Sequence, residues 1–348
     1  MTKNTQEMIG ISSPRIYGRY KILLLCLAVY ALVVLTKLWH SAEIGQALLL
    51  PAPADHLEHY RRTRRLEDYL DNIQILIEPS HTPCDGPERV PLLVLVASAP
   101  GRLDRRDVIR GTWAKRQPTY FVLGTEPQGI DGSFADIYLE AKEHGDMIVF
   151  DLVDHYQNLT LKTALMLQWT LRRCPQTEFL FKTDDDVFVN PWMLEEVLQD
   201  NEDYKLVGYM KNNSRLHRDA YNKWFSPRWL RFEDHLPEYL SGTGYLINGE
   251  YIEKILKAAK KVPLLNLEDV YFTYLVAKEN LGFNLKHDRR LSPYKPLIST
   301  PCSYVGLASI HSLSPDEIYA AWTKLLKVVN NNQTCDNYKF LYSDWLLY

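Results

Sequence analysis

The chain has 348 residues, of which 46% are hydrophobic and 24% charged, the composition of an ordinary globular protein. Its formal net charge of -3 gives no electrostatic case for nucleic-acid binding, and the sequence has no zinc-finger spacing or basic recognition helix. It also lacks the G-x-x-x-x-G-K-[ST] phosphate loop, and no G-x-G-x-x-G follows a predicted strand. These absences disfavour P-loop enzymes and nucleotide-cofactor dehydrogenases.

An apolar run near the N-terminus predicts a membrane anchor. Residues 22–36, ILLLCLAVYALVVLT, are uncharged, with basic residues before the run and Lys37 and Trp39 after it. A helix of this length spans about 22 Å, and the flanking Lys and Trp side chains extend its reach towards the bilayer core of about 30 Å. A cleaved signal peptide is the alternative, which the long N-terminal region and the lack of an A-x-A site disfavour. The basic residues predict a cytosolic tail over residues 1–21, a transmembrane helix over residues 22–37 and a luminal remainder.

Cysteines and glycosylation sequons agree with a luminal chain. Outside the apolar run, which contains Cys26, four cysteines remain, an even number that suits disulfide formation in an oxidising compartment. Three Asn-x-Ser/Thr sequons are present, and we expect them to be glycosylated. Their acceptor residues are Asn158, Asn212 and Asn332.

Four luminal cysteines allow three connectivities, and the predicted strands favour one of them. Cys84 lies just before the first predicted strand of the globular part, and Cys174 lies just before the strand that contains Phe179. Because the first and fourth strands of such a sheet can be neighbours, we expect these two cysteines to pair. Cys302 and Cys335 would then close the C-terminal segment.

A globular domain is predicted to follow a stem. Residues 38–88 are polar and lack a strong core period, whereas VPLLVLVAS from Val90 is typical of a buried strand. Strand-like and helix-like segments then alternate, which predicts an α/β fold with a parallel, doubly wound sheet and ligands at the carboxyl ends of the strands. We assign residues 89–348 to a single luminal domain. The predicted helices and strands cover 101–115 (helix), 120–123 (strand), 133–144 (helix), 147–151 (strand) and 158–173 (helix). The spacing of apolar residues predicts one buried face on two of these helices, with Ile109 and Trp113 on the first and Leu161, Leu165 and Trp169 on the last.

Three consecutive aspartates follow the strand at Phe179. In FLFKTDDDVFVN, Asp184, Asp185 and Asp186 stand between two segments that should be buried, where charges are costly unless they have partners. A hard divalent cation is the expected partner, because clustered carboxylates supply oxygen ligands and leave positions for water or substrate phosphates. The alternative is an acidic turn that caps the next helix, with Asp186 or Asn190 as the N-cap.

The second half of the chain carries further candidates. In YLSGTGYLI, Gly242 and Gly244 mark a place where the backbone turns tightly or lets a ligand approach closely. The predicted amphipathic helix NLEDVYFTYLVAK has Glu268 and Asp269 in its first turn, a position where acidic residues ordinarily match the helix dipole. His311, beside an apolar isoleucine, would by itself be a structural histidine.

Seven motifs in this order and spacing resemble the β1,3-galactosyltransferase family. They are RRDVIRGTW, NLTLKT, FLFKTDDDVFVN, KWFSP, YLSGTGYLI, LEDVY and IHSLSPDEI, and the similarity covers about residues 92–322. The family consists of Golgi type II membrane enzymes and includes β1,3-N-acetylglucosaminyltransferases, with the fringe enzymes more distant. The resemblance implies a GT-A-like fold with a mixed sheet, a UDP-sugar donor, Mn²⁺, and inversion at the anomeric carbon.

The resemblance also implies roles for particular residues in metal and donor binding. Asp184 and Asp186 correspond to the metal-binding D-x-D pair, with Asp186 as the expected direct ligand and His311 as a further one. The metal would act as a Lewis acid and as a template for the diphosphate. Asp185 and the two glycines of the SGTGY run are expected to contact the donor.

Inverting transfer needs a base for the acceptor hydroxyl, and the resemblance assigns that role to Asp269. Glu268, beside it, is expected to orient or screen the base within the donor site. Arg106 and Arg110 lie one helical turn apart after the first strand, where they could meet the nucleotide or its phosphates with forked donors. Solvation on the surface of an amphipathic helix is the alternative for these two arginines.

Donor, acceptor and class remain open to alternatives. Leu240 stands where many relatives have a cysteine before S-G-T-G-Y, so one family disulfide is expected to be missing. SGTGY and KWFSP favour UDP-galactose as donor, with UDP-N-acetylglucosamine as the alternative and a glycan on lipid or protein as acceptor. A non-catalytic lectin or chaperone is disfavoured because DDD, EDV and His311 occur together. A metal phosphohydrolase is disfavoured because no second metal-binding cluster is evident.

Overall fold

The chain divides into two units, Met1–Ala54 and Asp55–Tyr348. The computed structural model describes residues 23–36, 65–126, 132–219, 222–296, 300–331 and Cys335. In the first unit, residues 23–36 form a helix with exposed apolar side chains. Within the described residues, no helix reaches the length and apolar character needed to cross a membrane. The anchor over residues 22–37 therefore stays a prediction.

Eight strands of the described second unit form one mixed sheet in the order β1-β4-β3-β2-β5-β10-β7-β11. The neighbours from β4 to β5 are parallel, whereas β10 runs antiparallel to both β5 and β7. The sheet is thus mixed, as the family resemblance implied, whereas the parallel sheet predicted from the alternation of strands and helices is wrong at β10 and β1. Its strands are β1 Ile75–Ile77, β2 Val90–Ala97, β3 Thr119–Thr125, β4 Met147–Val153, β5 Thr177–Asp184, β7 Leu206–Lys211, β10 Tyr239–Asn248 and β11 Leu285–His287.

Short strand pairs lie outside the main sheet. One three-stranded sheet joins the segment after the triple aspartate to the segment before His311, because β13 pairs with both β12 and β6. The short strands are β6 Phe188–Val189, β8 Ser214–Arg215, β9 His235–Leu236, β12 Leu291–Ser292 and β13 Ser309–Ile310.

Helices cover both faces of the main sheet. Alternate side chains of β2 belong to two separate buried clusters, with Leu93 and Leu95 in one and Val94 and Val96 in the other. A strand buried on both faces explains the continuous apolar run in the sequence. The helices are α1 Glu67–Leu70, α2 Leu103–Gly111, α3 Gly132–His144, α4 Leu159–Arg173, α5 Pro191–Asp200, α6 Gly249–Ala259, the π-helix α7 Val270–Asn280, α8 Pro301–Val305 and α9 Pro315–Asn330.

The apolar helix faces predicted from the sequence are confirmed. Leu161, Leu165 and Trp169 of α4 are buried in one cluster, and Ile109 and Trp113 are fully buried in the other. Helices on the two faces make the domain a doubly wound α/β layer structure.

The domain begins earlier than the sequence suggested. Part of the segment assigned to the stem packs into the globular unit: Leu66 and Tyr69 are buried, and β1 pairs antiparallel with β4 at the sheet edge. The stem boundary at residue 88 is therefore corrected. The sequence did not indicate this packing, because a one-turn helix and a three-residue strand are too short to show a hydrophobic periodicity.

Both predicted disulfides are present. Cys84 bonds to Cys174 and joins the approaches to the neighbouring strands β2 and β5, with a Cα–Cα distance of 5.0 Å. Cys302 bonds to Cys335 with a Cα–Cα distance of 5.5 Å. Cys26 is free and exposed.

Candidate active site

The triple aspartate lies at the carboxyl end of β5, between the buried strands β5 and β6. Asp185 is fully buried, where its carboxylate accepts hydrogen bonds from the Ser98 hydroxyl (2.8 Å) and from Arg102 (2.7 Å). Burial raises the pKa of the Asp185 carboxyl, although the charge and hydrogen bond of Arg102 act in the opposite direction. The predicted direct contact of Asp185 with a donor is therefore wrong. Asp185 instead holds Arg102, which is half exposed and can reach a ligand with its remaining donors.

Asp186 meets His311 at the same edge. The Asp186 Oδ1 and His311 Nε2 atoms lie 3.5 Å apart, and each side chain is about one quarter exposed (27% and 26%). The other ring nitrogen, Nδ1, is 2.7 Å from the Ser312 hydroxyl, which fixes the orientation of the ring. The backbone carbonyl of Asp186 also accepts a hydrogen bond from Leu313 N–H. Ser312 has φ of 66°, a left-handed conformation that is uncommon for serine and brings His311 back to the aspartate loop.

This pair fits a divalent cation chemically. A carboxylate oxygen and an imidazole nitrogen, the latter oriented through its second nitrogen, are ordinary ligands for Mn²⁺-type ions. Among the described residues, no group of three His, Cys, Asp or Glu side chains is arranged to hold a metal. A cation held by Asp186 and His311 would thus need further ligands from water or from a substrate.

The alternative interpretation of the aspartate loop, in which Asp186 or Asn190 caps the next helix, is confirmed for Asn190 and wrong for Asp186. Asn190 is the N-cap of α5, and its side chain accepts a hydrogen bond from Met193 N–H. Asp186 therefore does not serve as the cap, and its carboxylate is left to face His311.

Asp269 lies on the neighbouring part of the edge, at the start of α7. Its Oδ1 accepts the N–H of Val270 (2.8 Å), and its Oδ2 accepts the N–H of Gly242 in β10 (3.0 Å). The side chain keeps partial exposure. Burial raises the pKa of the Asp269 carboxyl, partly offset by the two N–H donors. Asp269 is thus both a helix cap and an oriented carboxylate with remaining lone pairs, so the two predicted roles coexist.

A buried lysine joins these parts of the site. Lys182 is 2% exposed, and its ammonium contacts Asp184 Oδ1 (2.8 Å), the Gly242 carbonyl (2.9 Å) and Glu268 Oε2 (3.2 Å). Burial alone would lower the pKa of Lys182, but the charges of Asp184 and Glu268 outweigh it and raise the pKa. The Tyr245 hydroxyl donates to Glu268 Oε1. Asp184 is therefore engaged by Lys182 and partly exposed (28%), rather than paired with Asp186 and His311.

Glu268 does not face a ligand. Its side chain is 5% exposed and lies between Lys182 and Tyr245, so the prediction that it contacts the donor is wrong. Burial raises the pKa of Glu268, with Lys182 opposing this and Asp269 adding to it. The remaining part of the prediction, that Glu268 orients the neighbouring Asp269, agrees with its fixed position.

The two predicted arginines are structural. Arg106 is 1% exposed and forms a forked pair with Glu140 (2.7 and 2.6 Å), and its other donors bind the Ala99 and Pro100 carbonyls. Arg110 forms a forked pair with Asp146 (2.8 Å for both bonds). Both guanidinium groups are thus committed to the protein's own carboxylates. Their i, i+4 spacing pointed to one helix face correctly, but that face packs on the acidic residues of α3 and of the turn before β4.

The glycines of β10 allow close approach of the protein's own side chains. A side chain at Gly242 would meet the Asp269 carboxylate at 3.2 Å, and one at Gly244 would meet the Phe181 ring at 2.9 Å. The donor contact of these glycines stays a prediction. The pairing of β10 with β7 is irregular between Leu240 and Tyr245, which is the bulge that brings the Gly242 N–H to Asp269.

The sequons differ in accessibility. Asn212 is exposed. Asn158 is 3% exposed, and its Nδ2, the atom that would carry a glycan, donates to the Val153 carbonyl (2.9 Å). The expectation of a glycan on Asn158 is therefore not supported, because the folded chain leaves no room for one. Asn332 lies outside the described residues.

Sequence reasoning missed Lys182 and Arg102. The available signal for Lys182 was a lysine inside an otherwise apolar strand directly before the aspartates, because a buried cation requires buried anions. Arg102 carried no such signal, since it stands among several arginines and only the fold selects it. A second buried lysine, Lys162, is 2% exposed and binds Asp154 and the Ser98 carbonyl (both 2.7 Å).

Comparison with known proteins now identifies the class. The family model described as Galactosyltransferase matches residues 104–287, which include the aspartate loop, β10 and the start of α7. The chain belongs to the galactosyltransferase family.

Individual relatives agree with this membership. Human beta-1,3-galactosyltransferase 5 is 31% identical over 243 residues, covering 67% of this chain and 78% of the relative. A mouse acetylgalactosaminyl-O-glycosyl-glycoprotein beta-1,3-N-acetylglucosaminyltransferase is 31% identical over 301 residues, covering 80% of this chain and 73% of the relative. Among solved structures, a glycosyltransferase involved in glycosylation of the major capsid of PBCV-1 overlaps with a TM-score of 0.35 and 13% identity, over 67% of this chain and 99% of that one. An overlap this low does not by itself define the fold.

Proposed function

We propose that the chain is an inverting, metal-dependent β1,3-galactosyltransferase that transfers galactose from UDP-galactose to a sugar acceptor on a lipid or protein. The observation that carries the proposal is the partly exposed Asp269 carboxylate, which two backbone N–H groups orient at the sheet edge that also carries Asp186 and His311. Family membership and the β1,3 relatives support the reaction class.

Asp269 would act as the general base. As the acceptor oxygen attacks the anomeric carbon, the bond from that carbon to the UDP oxygen breaks, and the hydroxyl proton passes to the Asp269 carboxylate. The raised pKa of Asp269 suits this task, because a carboxylate of higher basicity accepts a proton more readily. Attack opposite to the leaving group inverts the configuration, which produces a β-linkage from an α-linked donor.

As UDP leaves, negative charge develops on its diphosphate, and a positive group must neutralise it. Asp186 and His311 would hold Mn²⁺ there, and the cation when bound supplies Lewis-acid neutralisation of the diphosphate. Arg102, fixed by Asp185, offers a further positive group on the same edge for the nucleotide phosphates.

The remaining parts of the proposal concern fold family and location. A GT-A-type fold is supported by the mixed sheet with the aspartates at the end of a central parallel strand. Golgi membrane localisation in type II orientation, with the catalytic domain in the lumen, is supported by the flanking charges of residues 22–36 and by the two disulfides.

A donor and acceptor screen tests the proposal. The full chain in detergent micelles would be incubated with Mn²⁺, UDP-galactose, UDP-N-acetylglucosamine or UDP-N-acetylgalactosamine, and acceptors that end in GlcNAc, GalNAc or Gal. We expect galactose transfer, with the β1,3 linkage read from NMR of the product and turnover lower by about 10²–10⁴ in Asp269→Asn. Glycan binding without transfer would contradict the proposal in favour of a lectin, and UDP-sugar hydrolysis without transfer would favour a phosphohydrolase.

The second candidate is a β1,3-N-acetylglucosaminyltransferase. It is favoured by the mouse relative of that activity, whose similarity extends over the larger share of this chain. Preferential use of UDP-N-acetylglucosamine in the same screen would establish this alternative and leave the base and metal assignments intact.

A further inference from the structure

The ammonium of Lys182 makes three polar contacts inside the protein, two hydrogen bonds and one ion pair. Its partners come from three different elements: Asp184 from the end of β5, the Gly242 carbonyl from β10, and Glu268 from the turn that begins α7. The side chain is also only 2% exposed, so the ammonium is closed to a ligand. Lys182 therefore does not contact substrate, and its role must act through the groups that it holds.

Those groups surround Asp269 on two sides. Gly242 accepts from Lys182 through its carbonyl and donates to Asp269 through its N–H, so one residue links the lysine to the carboxylate. Glu268 is the residue before Asp269 in the chain, and it is fixed by Lys182 on one oxygen and by Tyr245 on the other. Tyr245 is also the direct antiparallel partner of Lys182.

Charge gives a second reason for the arrangement. Asp184, Glu268 and Asp269 are three carboxylates within one small region, and Lys182 is a cation that contacts the first two. Removing one partner of a buried ion pair leaves an uncompensated charge that the structure relieves by moving. Without the ammonium, Glu268 would be expected to turn away, and the backbone that carries Asp269 would follow.

We propose that Lys182 is a positioning residue, which fixes the Asp269 carboxylate for proton transfer by holding Gly242 and Glu268 in place. The inference rests on the proposed function of Asp269 as the base. A displacement of about 1 Å in a reacting group can cost about 10²-fold in rate, so the expected effect is on turnover rather than on substrate binding.

The primary test is Lys182→Met, which keeps most of the side-chain volume and removes the charge. At saturating UDP-sugar and acceptor, we expect kcat to fall about 100-fold with both KM values within about threefold of wild type. Lys162→Met is the matched control, because Lys162 is equally buried and binds one carboxylate and one carbonyl without contacting Gly242, Glu268 or Asp269. The control should lose comparable melting temperature and keep kcat within about threefold.

Chemical rescue separates positioning from simple folding. Lys182→Ala leaves space for a small ammonium ion. Added ethylammonium should therefore raise the kcat of this variant by at least about tenfold and reach a plateau at high concentration, whereas ethanol should not raise it. If Lys182 variants do not fold, Tyr245→Phe tests the same support of Glu268 from its other oxygen, with an expected loss in kcat of about tenfold. A folded Lys182→Met with wild-type kcat, or unfolded Lys182 variants together with an unchanged Tyr245→Phe, would overturn the proposal.

A readout independent of activity distinguishes this inference from the proposed function. Because Gly242 N–H is bonded to Asp269, we expect its amide hydrogen exchange to accelerate at least about tenfold in Lys182→Met and to be unchanged in Lys162→Met. If wild type transfers no sugar but this acceleration occurs, the proposed function fails and the support of Asp269 by Lys182 stands. Equal Gly242 exchange in wild type and Lys182→Met overturns the support itself.

Discussion

Gly242 donates its backbone N–H to Oδ2 of Asp269 over 3.0 Å, so a strand of the central sheet orients the candidate base. The same carboxylate also caps the following helix, because its Oδ1 accepts the N–H of Val270. Without the bond from Gly242, that cap would be the carboxylate's only hydrogen bond to the backbone among the described residues. Rigid backbone support of this kind is what a preorganised base would need.

Asp269→Asn tests that distinction. The amide keeps the size of the side chain but cannot accept the acceptor's proton, so we expect turnover to fall by about 10²–10⁴. Loss of a cap alone costs about 0.5–2 kcal/mol of stability and leaves the chemistry largely intact. Steady-state kinetics and thermal unfolding measure both effects.

Asp85→Asn is the matched control, because Asp85 completes a capping box with Thr82 in a short helix before β2. This variant should lose stability and keep wild-type turnover. If Asp269→Asn keeps most of the wild-type turnover, the base is a different residue.

Asp186→Asn and His311→Ala test the metal site. Both remove a ligand atom of the pair that the structure brings together, so we expect Mn²⁺ affinity to fall at least about tenfold for each variant. Isothermal titration of Mn²⁺ with UDP present measures this. His144→Ala removes an exposed histidine from α3 and should bind Mn²⁺ like wild type. Wild-type affinity in both site variants would exclude this pair as the ligands.

The luminal topology is tested by the glycans. We expect treatment of the full chain from eukaryotic cells with an N-glycan-releasing enzyme to increase its gel mobility. Asn212→Gln should reduce the shift because Asn212 is exposed, whereas Asn158→Gln should leave the shift unchanged because Asn158 is buried. Absence of any shift in the wild type would contradict a luminal domain, and a smaller shift in Asn158→Gln would contradict the burial argument.

Stability should depend on acid through Glu140. Burial alone would raise the pKa of Glu140, but the hydrogen bonds and charges of Arg106 and Arg110 outweigh it and lower the pKa below its ordinary value of 4.5. The unfolded chain therefore binds the proton more readily, so this stabilisation is present above about pH 4.5 and is lost as the pH falls through the folded pKa.

Glu140→Gln measures this contribution. Removing one partner of a buried pair costs about 3–5 kcal/mol, so we expect a difference of about 3 kcal/mol in the free energy of unfolding at pH 7. The difference should shrink as the pH falls through the folded pKa, because wild-type Glu140 then becomes protonated. Glu143→Gln, an exposed position on the same helix, should leave the free energy of unfolding at pH 7 close to that of wild type. Urea unfolding across the acidic range is the measurement, and a constant difference would contradict the assignment.

The features that could be predicted from the sequence are those that depend on local residue patterns. Apolar runs such as β2 and β5, with no polar alternation, are typical of strands buried on both faces, so the aspartates that end β5 were expected at the ligand edge of the sheet. The helix faces of α4 and α2 followed from their spacing for the same reason. Family motifs then pointed to Asp186, His311 and Asp269, which the fold brings to one edge.

The predictions that were wrong concern side chains whose binding partners are distant in the sequence. Arg106 and Arg110 have the form of phosphate-binding residues, but their partners Glu140 and Asp146 stand 34 and 36 residues away. Asp185 looked like one member of an exposed acidic loop, and only the packing of Ser98 over it shows that it is buried. No sequence period carries that information, because it arises from which strands become neighbours.

The short strand β1 and Cys84 have a practical consequence for anyone who trims this protein for expression. A fragment that starts at residue 89 would lose the edge strand and leave the hydrogen-bonding groups of β4 open to other chains, a recognised route to aggregation. It would also leave Cys174 as a thiol without its partner in an oxidising environment, ready to cross-link two molecules. Soluble fragments should therefore begin ahead of Leu66, whose side chain is fully buried.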